Sequence, residues 1–355
     1  MSSAPLPRAV RLARPARAGT PRLLLPTRGS RRVARRLTEL ARALGTTTEQ
    51  LDLSTAAAAA DLDGIEHVHL VGSDRTLGRT PADAADLVEG LAAHHRVTLT
   101  LEDLPRERGG PDFVARARAH RRMVQASHGV VVDSAYEQGW LCRLVGSPAT
   151  GTVVIPPAAA PVERPASPLT RRRGPLVLGV VGEVSADSGH RDVLEAAALL
   201  HRTGRAPRGV RVTCLDTSLS ASGAPGQRLL EDAVRLGVTV DDTGALDVDA
   251  LTRACGTVDV PVVPDGSPSR GDAVLDWSRA GRRPLVARHR YSQELASIHP
   301  GRATLVSTTE SWDGAISRAL DSPRSTSVEA PGAVGLGVAD AAAAYASFWA
   351  QLDRR

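Results

Sequence analysis

Several residues of this chain could support chemistry because they place a carboxylate beside an apolar strand. The stretch AVLDWSRAGRRPLVA, residues 273–287, predicts a short helix that opens at Asp276 and ends at Ala280-Gly281. A buried strand is predicted to follow over residues 284–287. A carboxylate at the mouth of a helix can accept hydrogen bonds from ligand hydroxyls, or it can simply complement the positive end of the helix dipole. Both interpretations stay open at this stage.

A second set of carboxylates, Glu102 and Asp103, directly follows the apolar run VTLTL at residues 97–101. Two adjacent acids at the end of a strand could act as a general acid and a general base. They could also form an ordinary solvated strand end, which the sequence favours. If this half of the chain carries catalytic side chains, Glu102 and Asp103 are the candidates.

The histidines and cysteines form no recognisable metal-binding pattern. Strand alternation directs His67 and His69 to one face, but no third ligand follows at a useful spacing, so packing is favoured over metal binding. The neighbouring His94 and His95 are interpreted in the same way. The cysteines are widely separated in the sequence, which argues against a disulfide framework and against zinc. They are Cys142, Cys214 and Cys255.

Every basic residue is an arginine, since the chain contains no lysine. Schiff-base chemistry, pyridoxal-phosphate anchoring and the phosphate loop that ends in lysine are thereby excluded. Residues 1–173 carry 25 arginines and 17 acidic residues, a net charge of +8. Residues 174–355 carry 19 arginines and 22 acidic residues, a net charge of −3. The first half is therefore the part expected to meet anions.

Short apolar runs alternate with helical patterns along most of the chain. In the first half these runs lie at residues 22–26, 66–72, 97–101, 129–133 and 151–156. In the second half they lie at residues 175–181, 210–215, 238–240, 258–263 and 303–306. Strand–helix alternation of this kind predicts mainly parallel sheets covered by helices on both faces. The predicted fold class is α/β with doubly wound sheets.

The length of 355 residues and a break in the alternation predict two domains. A disordered basic arm is predicted over residues 1–20, followed by a first domain over 21–160. A segment rich in Pro, Ala and Arg at 161–174 predicts a linker, and a second domain follows over 175–322. The C-terminal helix, within residues 339–355, is expected to cross back to the first domain.

The order and spacing of these segments resemble glycosyltransferase family 4, a retaining, nucleotide-sugar-dependent group with the GT-B architecture. The likeness covers residues 20–322 and rests on RLLLPTRGSRRVARRLTELARAL, VTLTLEDLP, ASHGVVVDSAYEQGWL, GTVVIPP, LGVVGEVSADSGHRDVLEAAALL and PDGSPSRGDAVLDWSRAGRRPLVA. It implies two Rossmann-like domains facing a cleft, with the acceptor side in the first and the nucleotide-sugar site in the second. It also implies transfer of a hexose-like unit with retention, without a metal or other cofactor.

The resemblance assigns candidate site residues as well. The donor-binding candidates are Gly182, Glu183, Ser188, Gly189, Arg191, Arg270 and Asp276. Among them, the carboxylate of Asp276 is expected to face the two hydroxyls of the nucleotide ribose. The acceptor-side loop consists of Gly29, Ser30 and Arg31, and Ser30 also suits the cap of the following helix.

Several of these positions depart from the family pattern. Glu183 and Ser188 stand where the family has the Arg and Lys that neutralise the donor diphosphate. Pro268 and Asp276 replace its paired glutamates, and Glu102 replaces a histidine. Nearby arginines could supply the missing positive charge. These are Arg191, Arg270, Arg282 and Arg283.

The leading interpretation is a glycosyltransferase, and the alternative is a catalytically degenerate GT-B protein that acts as a binding or partner subunit. A nucleotide-sugar epimerase is disfavoured because its acid and histidine constellation is not evident. We expect a cytoplasmic protein without nucleic-acid partners, since no apolar run approaches the length of a membrane helix. The basic helices predicted over 30–44 and 112–125 either form solvated charged faces or contact an anionic membrane surface or a lipid-linked acceptor at the inner face of the plasma membrane.

Overall fold

The computed structural model describes the greater part of the chain. The described residues are 20–26, 31–46, 48–51, 62, 64–105, 112–146, 151–162, 174–185, 188–264, 271–328 and 335–354. They divide into two compact units. Unit 1 takes the residues up to Asp133, Gln138–Ile155 and the residues from Val338 onwards, and unit 2 takes Ser134–Glu137 and Pro156–Gly337. The predicted basic arm and most of the predicted linker lie outside the described residues.

Unit 1 is built on a parallel six-stranded sheet in the order β2-β1-β3-β4-β5-β6. Its strands are β1 Arg22–Pro26, β2 Thr48–Leu51, β3 His67–Gly72, β4 Arg96–Leu101, β5 Gly129–Val132 and β6 Thr152–Val154. The helices that lie between residues 31 and 145 of the chain are α1 Arg31–Leu44, α2 Asp74–Leu77, α3 Pro81–Ala92, α4 Phe113–Ala126 and α5 Ala135–Val145. The apolar runs predicted as strands all form strands here. β2 was not predicted because TEQL is largely polar and lacks an apolar run.

Unit 2 is built on a second parallel six-stranded sheet in the order β12-β11-β10-β7-β8-β9. Its strands are β7 Leu176–Val181, β8 Val210–Leu215, β9 Thr239–Asp242, β10 Val260–Val263, β11 Leu285–Ala287 and β12 Thr304–Val306. Its helices are α6 His190–Arg202, α7 Gly223–Leu236, α8 Val248–Cys255, α9 Gly271–Arg279, α10 Arg290–Ile298 and α11 Trp312–Asp321. The last helix of the chain is α12, Val338–Leu352, which belongs to unit 1. Within the described residues, no helix combines the length and the apolar character needed to cross a membrane.

The strand order of unit 2 has a topological switch between β7 and β10. The chain moves from β7 outward to β8 and β9, and then returns to the other side of β7 to form β10, β11 and β12. Ligands of open α/β sheets bind beside the carboxyl ends of the strands at such a switch. The fold therefore directs attention to the ends of β7 and β10.

The helix of the stretch AVLDWSRAGRRPLVA begins earlier than the sequence predicted. α9 starts at Gly271, so Asp276 lies in its second turn and does not open the helix. The prediction was wrong because the apolar run over residues 273–275 lacks helical periodicity, so the start of the helix at Gly271, with Asp272 in its first turn, was not recognised. Its end was predicted correctly, since Gly281 adopts a left-handed φ of 70° and β11 follows.

α12 packs on unit 1 through aromatic side chains and a buried chain of hydrogen bonds. His69 contacts Thr98 through Nδ1 at 2.9 Å and Thr100 through Nε2 at 3.0 Å. The Thr100 hydroxyl lies 2.8 Å from the hydroxyl of Tyr345 on α12, and the ring of Trp349 packs edge-on against His69. His67 joins the chain through Nε2, 3.0 Å from Thr98 Oγ1. The prediction of packing histidines is confirmed for His67 and His69.

The two basic helices differ in how much positive charge they expose. On α1, Val33, Leu37 and Leu40 are buried, as the sequence predicted. On α4, Arg116 is buried in an ion pair and Arg122 is held by Glu89 and Asp86. The arginines left on the outer face of α4 are Arg118 and Arg121. The second basic helix therefore exposes less uncompensated charge than its sequence suggests.

Candidate functional site

Two ion-pair clusters lie at the carboxyl ends of the strands of unit 1. In the first, which we call the Arg36 cluster, Arg36 of α1 donates from both terminal nitrogens to the carboxylate of Asp133, at 2.9 and 2.5 Å. The same guanidinium lies 3.6 Å from Oε1 of Glu102. Glu102 directly follows β4 and Asp133 directly follows β5. The cluster thus joins the ends of two neighbouring strands to the helix that follows β1.

The second cluster, the Arg116 cluster, consists of Asp74, Asp103, Arg116 and His120. Arg116 donates through Nε and Nη2 to the carboxylate of Asp74, at 2.8 and 2.9 Å. Its Nη2 also reaches the backbone carbonyl oxygen of Asp103 at 2.7 Å and Oδ2 of the same residue at 2.9 Å. Although burial opposes the charge, the hydrogen bond to Asp74 and the charges of Asp103 and Asp74 raise the pKa of Arg116 above its usual value. Arg116 is therefore a permanently charged link between the ends of β3 and β4.

Glu102 and Asp103 differ in access to solvent although they are adjacent in sequence. The side chain of Glu102 is 17% exposed and belongs to the Arg36 cluster. The side chain of Asp103 is 37% exposed, and its backbone adopts a left-handed φ of 48°. Of the two predicted catalytic carboxylates, Asp103 is the more exposed to solvent.

The partners of these carboxylates were not recognised from the sequence. Asp74 and Asp133 each follow a buried strand closely, just as Asp103 does, and the carboxyl ends of adjacent parallel strands lie at one edge of a sheet. That position was an available signal. Arg36 carried no such signal, because its neighbours on α1 are also arginines and its partner Asp133 is 97 residues away.

In unit 2, the loop between β7 and α6 carries several of the predicted donor-binding residues. Gly182 follows β7 with a φ of 124°, and Gly189 caps α6 with a φ of 69°. A Cβ atom on Gly189 would come within 2.8 Å of Pro264, the residue after β10. The loop thus passes tightly against the end of β10, at the switch point of the sheet. Glycine is required at position 189 both by the backbone conformation and by this close approach.

Ser188 organises this loop through its side chain. Its hydroxyl donates to the Ser185 carbonyl oxygen at 2.8 Å, accepts from the Ser185 N–H at 3.0 Å and lies 2.7 Å from Nδ1 of His190. The residue is almost completely buried. Its hydroxyl is therefore committed to the shape of the loop, whereas the side chain of Glu183 is exposed.

The arginines considered as replacements for the missing cations have other contacts. Arg191 lies on the exposed side of α6, where it pairs with Glu195 and Asp232. Arg282 is buried and donates to the carbonyl oxygen of Asp259, and Arg283 donates to that of Ala303. Arg282 and Arg283 thus serve as structural links within unit 2.

Asp276 lies on α9, the helix that follows β10, and is 4% exposed. Asp276 lies in the second turn of α9, and this helix leads away from the switch point. The other residues predicted for the acceptor-side loop and the donor site lie outside the described part of the chain. They are Gly29, Ser30, Pro268, Arg270 and the side chain of Arg31.

Comparison with known proteins identifies the fold. No family model and no curated protein matches the sequence. Among solved structures, HepE from Anabaena in complex with UDP and glucose is similar with a TM-score of 0.63 and 13% identity, over 94% of this chain and 98% of that one. Sucrose-phosphate synthase from Thermosynechococcus elongatus is similar with a TM-score of 0.59 and 16% identity, over 82% and 73%. Trehalose-6-phosphate synthase OtsA is similar with a TM-score of 0.55 and 12% identity, over 84% and 72%.

The fold is that of the GT-B glycosyltransferases. Two parallel, helix-covered sheets in one chain match these neighbours over most of their length, which confirms the fold class expected from the sequence. At identities of 12 to 16%, the likeness establishes the fold.

Proposed function

We propose that the protein is a glycosyltransferase that takes a sugar from a nucleotide sugar and transfers it with retention, as in glycosyltransferase family 4. The observation that carries the proposal is the close approach of Gly189, the residue before α6, to Pro264 at the switch point between β7 and β10. Structural neighbours support the choice of ligand, since HepE has been solved with UDP and with UDP-glucose.

The donor diphosphate is expected to lie at the amino-terminal end of α6. The first N–H groups of a helix have no partner within the helix and carry the positive end of its dipole, so they suit an anion. Gly182 has no Cβ atom and is the residue expected to let the phosphates approach closely, since the corresponding space at Gly189 is filled by Pro264. Because Glu183 and Ser188 replace two cations, binding should be weaker than in a transferase that retains them. Neither a metal nor another cofactor is required by this scheme.

Calorimetric titration with UDP tests this arrangement on wild-type protein and two variants. Asp276→Asn should weaken binding by about 1–3 kcal/mol, the range for removing a charged hydrogen-bond partner. Glu183→Arg should strengthen binding, because it replaces an exposed negative charge beside the phosphates with a positive one. Glu195→Arg, the same charge change farther along α6, serves as the control and should alter the affinity much less. Absence of UDP binding to all of these proteins would refute the proposal.

A second candidate is a degenerate GT-B protein that binds a nucleotide or a partner without turnover. The buried, fully engaged hydroxyl of Ser188 favours it, because no cation can occupy that place without rebuilding the loop. The two candidates differ in one measurement: UDP binding without UDP release from UDP-glucose, over a range of acceptor sugars, identifies the degenerate protein.

We also propose that the protein works in the cytoplasm at an anionic membrane surface. Val114 on α4 is 64% exposed and lies one turn before Arg118, and Arg121 follows on the same side. An apolar side chain beside two arginines suits the surface of an anionic bilayer. Sedimentation with liposomes tests this, since binding should require anionic lipid and should fall with added salt.

A further inference from the structure

We propose that Arg116 is a positioning residue that holds the carboxylate of Asp103 in place for a substrate. The inference rests on the proposed function, because it assigns to Asp103 a direct contact with the sugar or with the acceptor hydroxyl. The geometry is specific: one terminal nitrogen of Arg116 grips both the backbone carbonyl oxygen of Asp103, at 2.7 Å, and its Oδ2, at 2.9 Å. Two contacts on one residue fix its backbone and its side chain together.

Asp103 needs such a restraint because its backbone is in the left-handed region. Its φ of 48° is shared by few residue types, and among the described residues the other non-glycine case is Asp216. Left-handed conformations are unfavourable for residues with a Cβ atom and persist where the surroundings enforce them. Without the bond to its carbonyl oxygen, Asp103 would be expected to relax towards ordinary backbone angles.

Arg116 is itself held rigidly. Its side chain is 6% exposed, and Asp74, which is fully buried, accepts from Nε and Nη2. The ring of His120 also hydrogen-bonds through Nδ1 to the backbone carbonyl oxygen of Arg116, at 3.0 Å. The guanidinium therefore cannot follow Asp103 if that residue moves. A rigid partner that is anchored elsewhere is what a positioned side chain requires.

The contacts of Asp103 leave one carboxylate oxygen available. Arg116 and Arg75 both approach Oδ2, at 2.9 and 3.7 Å, and among the described residues no side-chain hydrogen bond is made to Oδ1. Asp74 already supplies the negative charge that balances Arg116, so a purely structural ion pair would not need a second, half-exposed acid. The side chain of Asp103 is 37% exposed at the end of β4, and Oδ1 is the oxygen that we assign to the substrate.

The experiment removes the restraint without leaving a buried charge. Asp74→Leu combined with Arg116→Met deletes both partners of the buried pair, and Arg116→Lys keeps the charge but loses the fork of donors. For each variant, kcat for UDP release from UDP-glucose and the affinity for UDP are measured. We expect kcat to fall about 10²-fold, the effect of misplacing a reacting group by about 1 Å, with UDP affinity unchanged. Adding Asp103→Asn to the Asp74/Arg116 double variant should lower kcat much less than the same change lowers it in the wild-type protein.

The matched control is Glu89→Gln with Arg122→Gln, which removes an ion pair between α3 and α4, the helix that carries Arg116, but does not touch Asp103. Equal loss of kcat in the control, or a loss from Asp103→Asn that is as large in the Asp74/Arg116 double variant as in the wild-type protein, would overturn the inference. A second readout is the Asp103 ¹³Cα chemical shift, which reports backbone conformation. It should leave the left-handed range in the double variant. If the chemical shift stays in the left-handed range, the inference fails, whether or not the wild-type protein turns over UDP-glucose. Lack of turnover by the wild-type protein, taken alone, counts against the proposed function instead.

Discussion

The Asp103→Asn variant is expected to release UDP from UDP-glucose about 10²–10⁴-fold more slowly than the wild-type protein, the range for a positioned acid or base. Asp103 is the predicted catalytic acid that is both exposed and held by Arg116. Asparagine keeps the size of the side chain and can still accept from Arg116, so the loss isolates the negative charge. The measurement is the initial rate of UDP release at saturating UDP-glucose.

A control variant separates this effect from a general change of surface charge. Asp112→Asn removes an exposed carboxylate at the start of α4 that makes no capping hydrogen bond, so its rate should stay within about twofold of wild type. A full rate in Asp103→Asn would contradict the assignment.

Acidification is expected to weaken the docking of α12, with a loss of about 2 kcal/mol in the free energy of unfolding for each of His67 and His69 between about pH 7.5 and pH 5. Burial, with help from the charges of His67 and Arg36, lowers the pKa of His69 to about 3. Burial, with help from Arg96, lowers the pKa of His67 to about 4. Both residues titrate near pH 6.5 in an unfolded chain. The unfolded state therefore gains protons first, and stability present above about pH 6.5 is lost as the pH falls towards the folded pKa values.

The hydrogen bonds around His69 give the same direction. A neutral imidazole has one donor and one acceptor nitrogen, and the chain from Tyr345 to His67 is satisfied when both rings are neutral. In that assignment Thr100 donates to Nε2 of His69, and Nδ1–H of His69 donates to Thr98. Protonation turns Nε2 into a donor, so the Thr100 hydroxyl can no longer donate to it and the bond between Thr100 and Tyr345 must reverse its direction.

Urea unfolding at both pH values checks the prediction. His69→Gln should lower stability at neutral pH, because it disturbs a buried network, and should also reduce the loss on acidification by about 2 kcal/mol. His94→Gln changes an exposed histidine of the same unit and should leave the pH dependence as in the wild type. An identical pH dependence in the wild type and His69→Gln would show that His69 does not oppose protonation.

The sheets could be predicted from the sequence because buried parallel strands appear as short, continuous apolar runs. Such runs, separated by helical patterns, are the clearest pattern in this chain. α9 shows the limit of that approach. Residues Ala273, Val274 and Leu275 form an apolar run that suits a strand as well as a buried helix, so the helix start at Gly271 carried no periodic signal. Its end was predictable because Gly281 marks a left-handed cap.

The positions of the candidate site residues at strand ends were predictable from the sequence, but their ion-pair and hydrogen-bond partners were not. Glu102 and Asp103 could be placed at a strand end from the sequence, since they directly follow VTLTL. Their restraints come from Arg36 and Arg116, whose roles depend on strand order and on side-chain packing across distant parts of the chain. Ser188 illustrates the same limit in unit 2. The resemblance to the family marked the position, but only the structure revealed that its hydroxyl is engaged with Ser185 and His190.

The most direct test of the account is a crystal structure of the protein grown with UDP. We expect the diphosphate at the amino-terminal end of α6, beside Gly182 and Gly189 and next to Pro264, with the ribose towards Asp276. The nucleotide would then occupy the switch point between β7 and β10. UDP bound elsewhere on the protein, or no bound nucleotide at millimolar UDP, would contradict the central claim that the carboxyl ends of β7 and β10 form a nucleotide-sugar site.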